Sequence, residues 1–206
     1  MKTFRLAFAA AALAVLAPPA PAQQTSLTNP SYDFLKAVKE RDGNKVMQLL
    51  DTGAGNLINT KEAGETPLNI VVGRHDETWT SFFLGRGADP NGAGKGGDTP
   101  LIVAARVGFA DGVDQLLKAG ARVDTPNKMG ETALIVAVQQ RATDVVKALL
   151  AAGANPDKTD TAAGLSARQY AARDNRSRDI LTLIESQPKK GAKIEKVEKV
   201  DDFKLR

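Results

Sequence analysis

Side chains able to support catalysis or metal binding are scarce in this sequence. It contains one histidine, His75, and no cysteine, which excludes thiol catalysis and thiolate metal ligands. A single histidine without cysteine also cannot build a usual zinc site, in which at least two ligands are histidine or cysteine. His75 takes the position that Gly108 has in the next copy of a repeated segment, where a helix ends, and nothing places a serine beside it. We therefore interpret His75, and Asn175 at the same position of the last copy, as helix-end residues, because both residue types tolerate the left-handed conformation.

Two other patterns suggest chemistry only in their composition. The segment GAGKGGDT, from Gly92 to Thr99, is rich in glycine and contains a lysine. It lacks the Gly-x-x-x-x-Gly-Lys-Ser/Thr order with which a phosphate-binding loop cradles its ligand. The paired carboxylates Asp201 and Asp202 lie in a charged tail, where nothing raises a pKa as a general acid would require. We therefore expect no catalytic residues, no metal site and no cofactor.

The elements that position the remaining residues are repeats of one segment at a fixed period. The segment GDTPLIVAARVGFADGVDQLLKAGA, which begins at Gly97, recurs as GETALIVAVQQRATDVVKALLAAGA, which begins at Gly130. A looser copy, GETPLNIVVGRHDETWTSFFLGRGA, begins at Gly64, so the three starting glycines are evenly spaced. A fixed period of about 20–50 residues indicates one supersecondary unit stacked on copies of itself.

Each copy carries signals for two helices and a turn. A threonine predicts the cap of the first helix, and a proline follows it in two copies at the first helical position. A glycine suits the left-handed end of the second helix. These signals are Thr66, Thr99 and Thr132, Pro67 and Pro100, and Gly87, Gly120 and Gly153.

With these residues the sequence resembles the ankyrin repeat family. The resemblance implies an all-α solenoid of about five helix-turn-helix repeats with short β-hairpin-like fingers between them. We place the repeats at about 31–62, 63–95, 96–128, 129–161 and 162–187, so that the domain covers 31–187. The first and last copies are degenerate, as expected of capping repeats. Glycine spacing is one residue longer from Gly53 to Gly64 and from Gly153 to Gly164, which predicts longer fingers there.

The sequence departs from the family pattern at the histidine of its Thr-Pro-Leu-His signature. Asn69, Ile102 and Ile135 stand there instead. In the family that histidine joins a hydrogen-bond network between repeats. We expect Ile102 and Ile135 to substitute apolar packing, and the fingers to be less rigid as a result.

Residues 1–22 have the pattern of a secretory signal peptide. Lys2 and Arg5 precede a short apolar run that extends from Leu6 to Ala17, and Ala20-Pro21-Ala22 forms a small-residue cleavage site. A membrane anchor is the alternative, but the run is too short for it, because a span needs about 20 apolar residues. We expect cleavage after Ala22, a periplasmic or secreted protein without a stable membrane anchor, and a linker over 23–30.

Positive charge is concentrated at the chain ends. The whole sequence has a net charge of +4, whereas residues 23–188 sum to −1 and residues 189–206 to +3. Nucleic-acid binding is therefore disfavoured, since it needs a basic surface. We expect residues 188–206 to form a disordered, solvated tail. The alternative is a segment that orders on a partner or on anionic lipid.

The resemblance also implies non-enzymatic binding of a partner protein on a concave face, built from finger tips and the exposed ends of the first helices. On that face we predict a basic ridge, Lys39, Arg74, Arg106 and Arg173, interrupted by Gln139 and Gln140. Lys95, Lys128 and Met129 are the predicted finger contacts. The ridge would select an acidic partner, and we expect the protein to be a monomer. Two alternatives are an accessory or immunity protein that inhibits or stabilises a periplasmic enzyme, and an enzyme with an unrecognised carboxylate site.

Overall fold

Every repeat folds as two helices joined by a short turn, and fingers connect consecutive repeats. A computed structural model describes residues 29–52 and 56–187, and the predicted signal peptide and C-terminal tail lie outside these residues. The helices are α1 Pro30–Glu40, α2 Gly43–Asp51, α3 Pro67–Val72, α4 Glu77–Gly85, α5 Pro100–Val107, α6 Ala110–Lys118, α7 Ala133–Gln139, α8 Thr143–Ala151, α9 Ala167–Arg173 and α10 Arg178–Glu185. Short 3₁₀ turns cover Leu57–Asn59, Lys95–Gly97 and Asn175–Ser177. The all-α repeat architecture is confirmed.

The predicted caps of the first helices form as expected. The hydroxyls of Thr66, Thr99 and Thr132 accept hydrogen bonds from the amide three residues on, at 3.2–3.3 Å. Ser166 does the same at α9 and is part of a capping box with Gln169. These bonds satisfy amides that a helix leaves unpaired at its start, so each first helix begins at a fixed residue.

One apolar core runs through all five repeats. Neighbouring first helices pack on one another, and so do the second helices from α4 to α10. Ile102 and Ile135 are both fully buried, so apolar packing does replace the family's histidine at these places. Leu35 fills the same position in the first repeat and is 3 % exposed. The stack is therefore held by contacts between immediate neighbours.

The fingers are turns, with two isolated bridges as their only β structure in residues 29–52 and 56–187. One antiparallel backbone bridge joins Glu62 to Glu65, and the other joins Thr159 to Ser166. These are the two junctions with the extra residue, and their connections between helices are one residue longer than the others. The β-bridges are therefore limited to the longer fingers, whereas the shorter fingers are closed by the backbone bonds from Gly94 to Asp98 and from Asn127 to Glu131.

The ends of the first helices differ from expectation at one place. His75 has a φ of 57° and is left-handed, as predicted, and its ring stacks on that of Phe109 at 5.2 Å between centroids. Asn175 is not left-handed, so its assignment as an equivalent helix-end residue is wrong. A 3₁₀ turn begins there instead, because the Asp174 carboxylate accepts the amide of Arg176 at 3.0 Å and caps that turn.

Candidate partner-binding surface

We define the inner surface as the finger tips together with the exposed residues of the first helices, and we number each finger by the repeat that follows it. Fingers and first helices border shallow grooves along this surface. One groove of about 180 Å³ lies between α3, α5 and their fingers and is lined in part by Glu65, Asn69, Lys95 and Asp98. A second, of about 240 Å³, lies beside α1 and includes Tyr32. The inner surface therefore presents side chains from two kinds of element at once.

Arg74, a predicted ridge residue, is turned into the protein. Its Nη1 donates to the carbonyl oxygens of Val38 at 2.8 Å and Lys39 at 3.0 Å. These carbonyls end α1, so the guanidinium joins the first two repeats by capping a helix of the preceding one. Burial is the main cause of a lowered Arg74 pKa, and the nearby charge of Arg41 adds to it. This side chain has a structural role that sequence equivalence did not reveal.

Two other ridge cations are held in ion pairs. Lys39 pairs with Glu65 of the next finger, and Arg106 donates to Asp98 at 2.8 Å within its own repeat. Both pairs are partly exposed, and such pairs contribute little to stability, about 0–1 kcal/mol. Each pair nevertheless neutralises the positive charge of its lysine or arginine. Both carboxylates stand one residue before a capping threonine, at the base of a finger. Two of the four cations of the predicted ridge are thus compensated by a neighbouring carboxylate.

The remaining predicted helix-end contacts are exposed. Gln139, Gln140 and Arg173 all lie at the surface at the ends of α7 and α9. Gln140 lines a cleft of about 480 Å³ together with Arg106 and Arg141. Arg141, which the sequence analysis did not select, pairs with Asp174 at 3.2 Å. Their role as partner contacts stays a prediction.

Adjacent fingers are hydrogen-bonded to each other through the backbone. The amide of Lys128 donates to the carbonyl of Gly96 at 3.0 Å, and the amide of Thr161 donates to that of Met129 at 2.9 Å. These bonds are equivalent, because donor and acceptor both advance by one full period of the repeat. They form a finger ladder, by which we mean the chain of contacts through the third, fourth and fifth fingers.

Side chains reinforce the finger ladder. Asn127 donates to the carboxylates of Asp98 and Glu131, each at 2.8 Å, and thereby ties the third finger to the fourth. The ammonium groups of Lys61 and Lys158 each donate to a backbone carbonyl of a neighbouring repeat at 2.7 Å. Side-chain hydrogen bonds thus join neighbouring repeats although the family's histidine is missing, and the lower rigidity of the fingers stays a prediction.

The tips of the third and fourth fingers carry the predicted contacts that remain unpaired. Lys95 and Lys128 are exposed and have no ion pair within residues 29–52 and 56–187. Met129 is 49 % exposed, and Tyr32 is the other large apolar residue exposed in this part of the chain. These finger residues lie at the surface, as expected, and their lack of an ion pair distinguishes Lys95 and Lys128 from the paired Lys39 and Arg106.

A buried carboxylate organises the last finger, and the sequence analysis missed it. Asp160 is 4 % exposed and accepts the Tyr170 hydroxyl at 2.6 Å and the amides of Ala163, Gly164 and Leu165. Burial alone raises the pKa of Asp160, but these hydrogen bonds outweigh it and the pKa is lowered. The bond to Asp160 in turn raises the Tyr170 pKa, and burial adds to the rise. The carboxylate is occupied by donors of its own finger and of α9, so it is not poised as a catalytic acid or base.

The glycine-rich segment that resembles a phosphate-binding loop in composition has a structural role. Residues 92–99 form the third finger, in which the Gly94 amide donates to the Asp98 carbonyl at 2.8 Å. The pair Asp201 and Asp202 lies outside the described residues. Across residues 29–52 and 56–187 no group of three or more His, Cys, Asp or Glu side chains could hold a metal ion. In the same residues no helix is both long and apolar enough to cross a membrane.

Comparison with known proteins identifies the family. A family model described as ankyrin repeats (3 copies) matches residues 34–127, 81–160 and 110–196. The chain therefore belongs to the ankyrin repeat family, whose domains are typically non-catalytic and generally mediate protein–protein interaction.

Individual relatives match over shorter stretches. The chain is similar to the human 2-5A-dependent ribonuclease, with 40 % identity over 75 residues, which is 36 % of this chain and 10 % of that protein. The mouse 2-5A-dependent ribonuclease is 33 % identical over 86 residues, or 42 % of this chain and 12 % of that protein. A putative ankyrin repeat protein of fowlpox virus is 37 % identical over 60 residues, or 29 % of this chain and 32 % of that protein. The chain thus spans no more than 32 % of the length of these curated relatives.

Proposed function

We propose that this protein is a non-enzymatic binding module that holds a partner protein on its inner surface. The observation that carries the proposal is the finger ladder. It fixes consecutive finger tips to one another through the backbone bonds from Lys128 to Gly96 and from Thr161 to Met129. A surface that is ordered before binding loses less conformational entropy when the partner arrives, which favours affinity.

The contacts within the inner surface determine which of the predicted residues are suited to bind. Lys39, Arg106, Gln139, Gln140 and Arg173 are exposed and form the helix-end part of the proposed site. Arg74 is excluded from it, because its guanidinium is engaged with the end of α1. Replacing Arg74 by an acidic residue would disturb the first repeat and would not test binding.

We further propose that the module works outside the cytoplasm, in the periplasm or after secretion. The support is the order of basic, apolar and small residues in residues 1–22. N-terminal sequencing of the mature protein from a periplasmic fraction should begin at Gln23 or within two residues of it. Full-length protein that starts at Met1 and stays in the cytoplasm would refute export.

Site-specific photo-crosslinking tests the binding surface. We would place a photoreactive residue at Gln140 on the inner surface and, as a matched control, at Lys118, which is exposed on the second helix α6. Irradiation in a periplasmic extract should give a discrete higher-mass adduct from position 140 and none from position 118. Adducts from position 118 alone, or from neither position, would contradict the proposal.

A further inference from the structure

The tips of the third and fourth fingers carry exposed cations without an ion pair, whereas several other charged side chains of the inner surface are engaged. Glu65 is paired with Lys39, Asp98 with Arg106, and Arg74 with backbone carbonyls. Lys95 and Lys128 are exposed and without an ion pair in the described ranges. At these two finger tips, positive charge is therefore exposed and not compensated by a carboxylate of the described residues.

The two lysines take equivalent places on consecutive fingers. Lys95 packs over Gly64 of the second finger, and Lys128 packs over Gly97 of the third. The backbone bond of 3.0 Å from Lys128 to Gly96 fixes one tip on the other. Packed helices lie about 8–10 Å apart, so consecutive tips repeat at about this distance.

Met129 is the large apolar side chain of this row of tips. The equivalent residues on the neighbouring fingers are Ala63, Gly96 and Ala163, which are small. Met129 follows Lys128 directly and is 49 % exposed, although apolar side chains of its size are mostly buried. An exposed methionine is unbranched and adaptable, which suits it to contact an apolar side chain of a partner.

We propose that Lys95, Lys128 and Met129, here called the fingertip row, recognise an extended acidic segment with one apolar residue. This inference rests on the proposed function and names the kind of partner. An extended chain of the polyproline II type rises about 3.1 Å per residue and, with three residues per turn, places every third side chain on the same face. Two acidic side chains three residues apart therefore match the spacing of the lysines, and an apolar residue beside the second acid faces Met129. Lysine–carboxylate contacts act mainly on association rate and specificity, and the apolar contact adds buried area.

A labelled peptide tests this recognition directly. The probe is a fluorescein-labelled peptide of about a dozen residues, with two glutamates three positions apart and a leucine after the second. Its binding to the mature chain is followed by fluorescence anisotropy. We expect saturable binding that weakens at least about tenfold in the Lys95→Glu/Lys128→Glu double variant, and that weakens as salt rises. Met129→Ser should weaken binding a few-fold, and Lys118→Glu, an exposed lysine on α6, should leave it unchanged.

Two comparisons make the result specific. A peptide with serine in place of leucine should bind more weakly and should lose its sensitivity to Met129→Ser. A single-stranded oligonucleotide has the charge without the spaced apolar residue, and it should not displace the peptide at equal charge. Equal binding by the double variant, equal displacement by the oligonucleotide, or no binding by wild-type protein would each overturn the proposal.

The inference and the proposed function fail in different ways. Circular dichroism first shows that the double variant is folded. The substitutions leave the backbone bond from residue 128 to Gly96 in place, because the amide of residue 128 makes it. If position 140 forms the same crosslinked adduct in wild type and in the double variant, the inner surface binds a partner without the fingertip row, and the inference is overturned. If position 140 never forms an adduct while the peptide still binds as expected, the fingertip row recognises acidic segments but the proposed helix-end site is wrong.

Discussion

Replacing Gly130 by alanine should destabilise the protein more than the same replacement at Gly120. Both glycines are left-handed, with φ of 75° and 90°. A left-handed L-residue costs roughly 1–2 kcal/mol, so this part of the effect is shared. The surroundings differ, because a Cβ at Gly130 would lie 2.6 Å from the Thr161 amide nitrogen, whereas one at Gly120 would have nothing within 4 Å.

The difference between the two variants measures the finger ladder. Alanine at position 130 forces the fifth finger away and breaks the 2.9 Å bond between Thr161 and Met129. A lost backbone hydrogen bond costs about 0.5–1.5 kcal/mol, so Gly130→Ala should cost about 1.5–3.5 kcal/mol in total and Gly120→Ala about 1–2 kcal/mol. Urea denaturation followed by circular dichroism gives both values. With a slope of about 1–3 kcal/mol per molar urea, the midpoints should differ by several tenths molar.

Fluorescence of Trp79 provides an independent check. This tryptophan lies in α4, two repeats from Gly130, and packs against Phe82 and Phe83. If each repeat is stabilised mainly by its immediate neighbours, Gly130→Ala should shift the unfolding midpoint reported by Trp79 fluorescence less than the midpoint reported by circular dichroism. Equal midpoints for the two glycine variants, or a larger loss at Gly120, would refute the reasoning that the fingers are coupled by close backbone approach.

Three further predictions concern the core, the first repeat and the last finger. Leu116→Ala should cost about 2–5 kcal/mol in urea denaturation because Leu116 is fully buried, and the half-buried Leu117→Ala should cost less. Arg74→Met should lower the free energy of unfolding by about 1.5–3 kcal/mol, because the bonds to α1 are lost. Arg106→Met, which breaks a surface ion pair, should lower it by at most about 1 kcal/mol, and equal losses would contradict the structural role of Arg74. The lowered Asp160 pKa means that its carboxylate stabilises the fold above its unfolded pKa of about 3.9, and that this contribution is lost as the pH falls through the folded value. Asp160→Asn should therefore destabilise the protein by about 1–3 kcal/mol at pH 7 and by progressively less below pH 4, which thermal unfolding at several pH values would reveal.

Local signals made most of the fold predictable. The capping threonines and the buried positions of Ile102 and Ile135 follow from residue type and a fixed repeat period, since each acts within one repeat or between identical ones. The left-handed glycines follow for the same reason, because no other residue adopts that conformation as readily. Departures occur where one repeat differs from the rest, as at Asn175, where Asp174 caps a 3₁₀ turn instead.

The candidate surface was predicted less well, because pairing depends on side-chain direction. Arg106 and Arg74 occupy adjacent repeat positions, yet one residue rotates a helical position by about 100°. Arg74 also follows the end of α3, which is two residues shorter than α5. The Arg74 side chain therefore points to α1, whereas that of Arg106 lies beside Asp98. The hydrogen bond between Tyr170 and Asp160 was not predicted, because it depends on how the longer fifth finger folds back.

The equivalence of the finger-ladder bonds has a consequence for how such a chain changes in evolution. The bond from Lys128 to Gly96 and the bond from Thr161 to Met129 are the same contact one period apart, and Ile102 and Ile135 fill the same position beneath them. An in-frame duplication of the segment 97–129 would therefore create junctions whose two faces already match. Deletion of the same segment would rejoin surfaces that are equally complementary. Gene-level copying errors of one whole period can thus lengthen or shorten the binding surface without requiring compensating substitutions in the core.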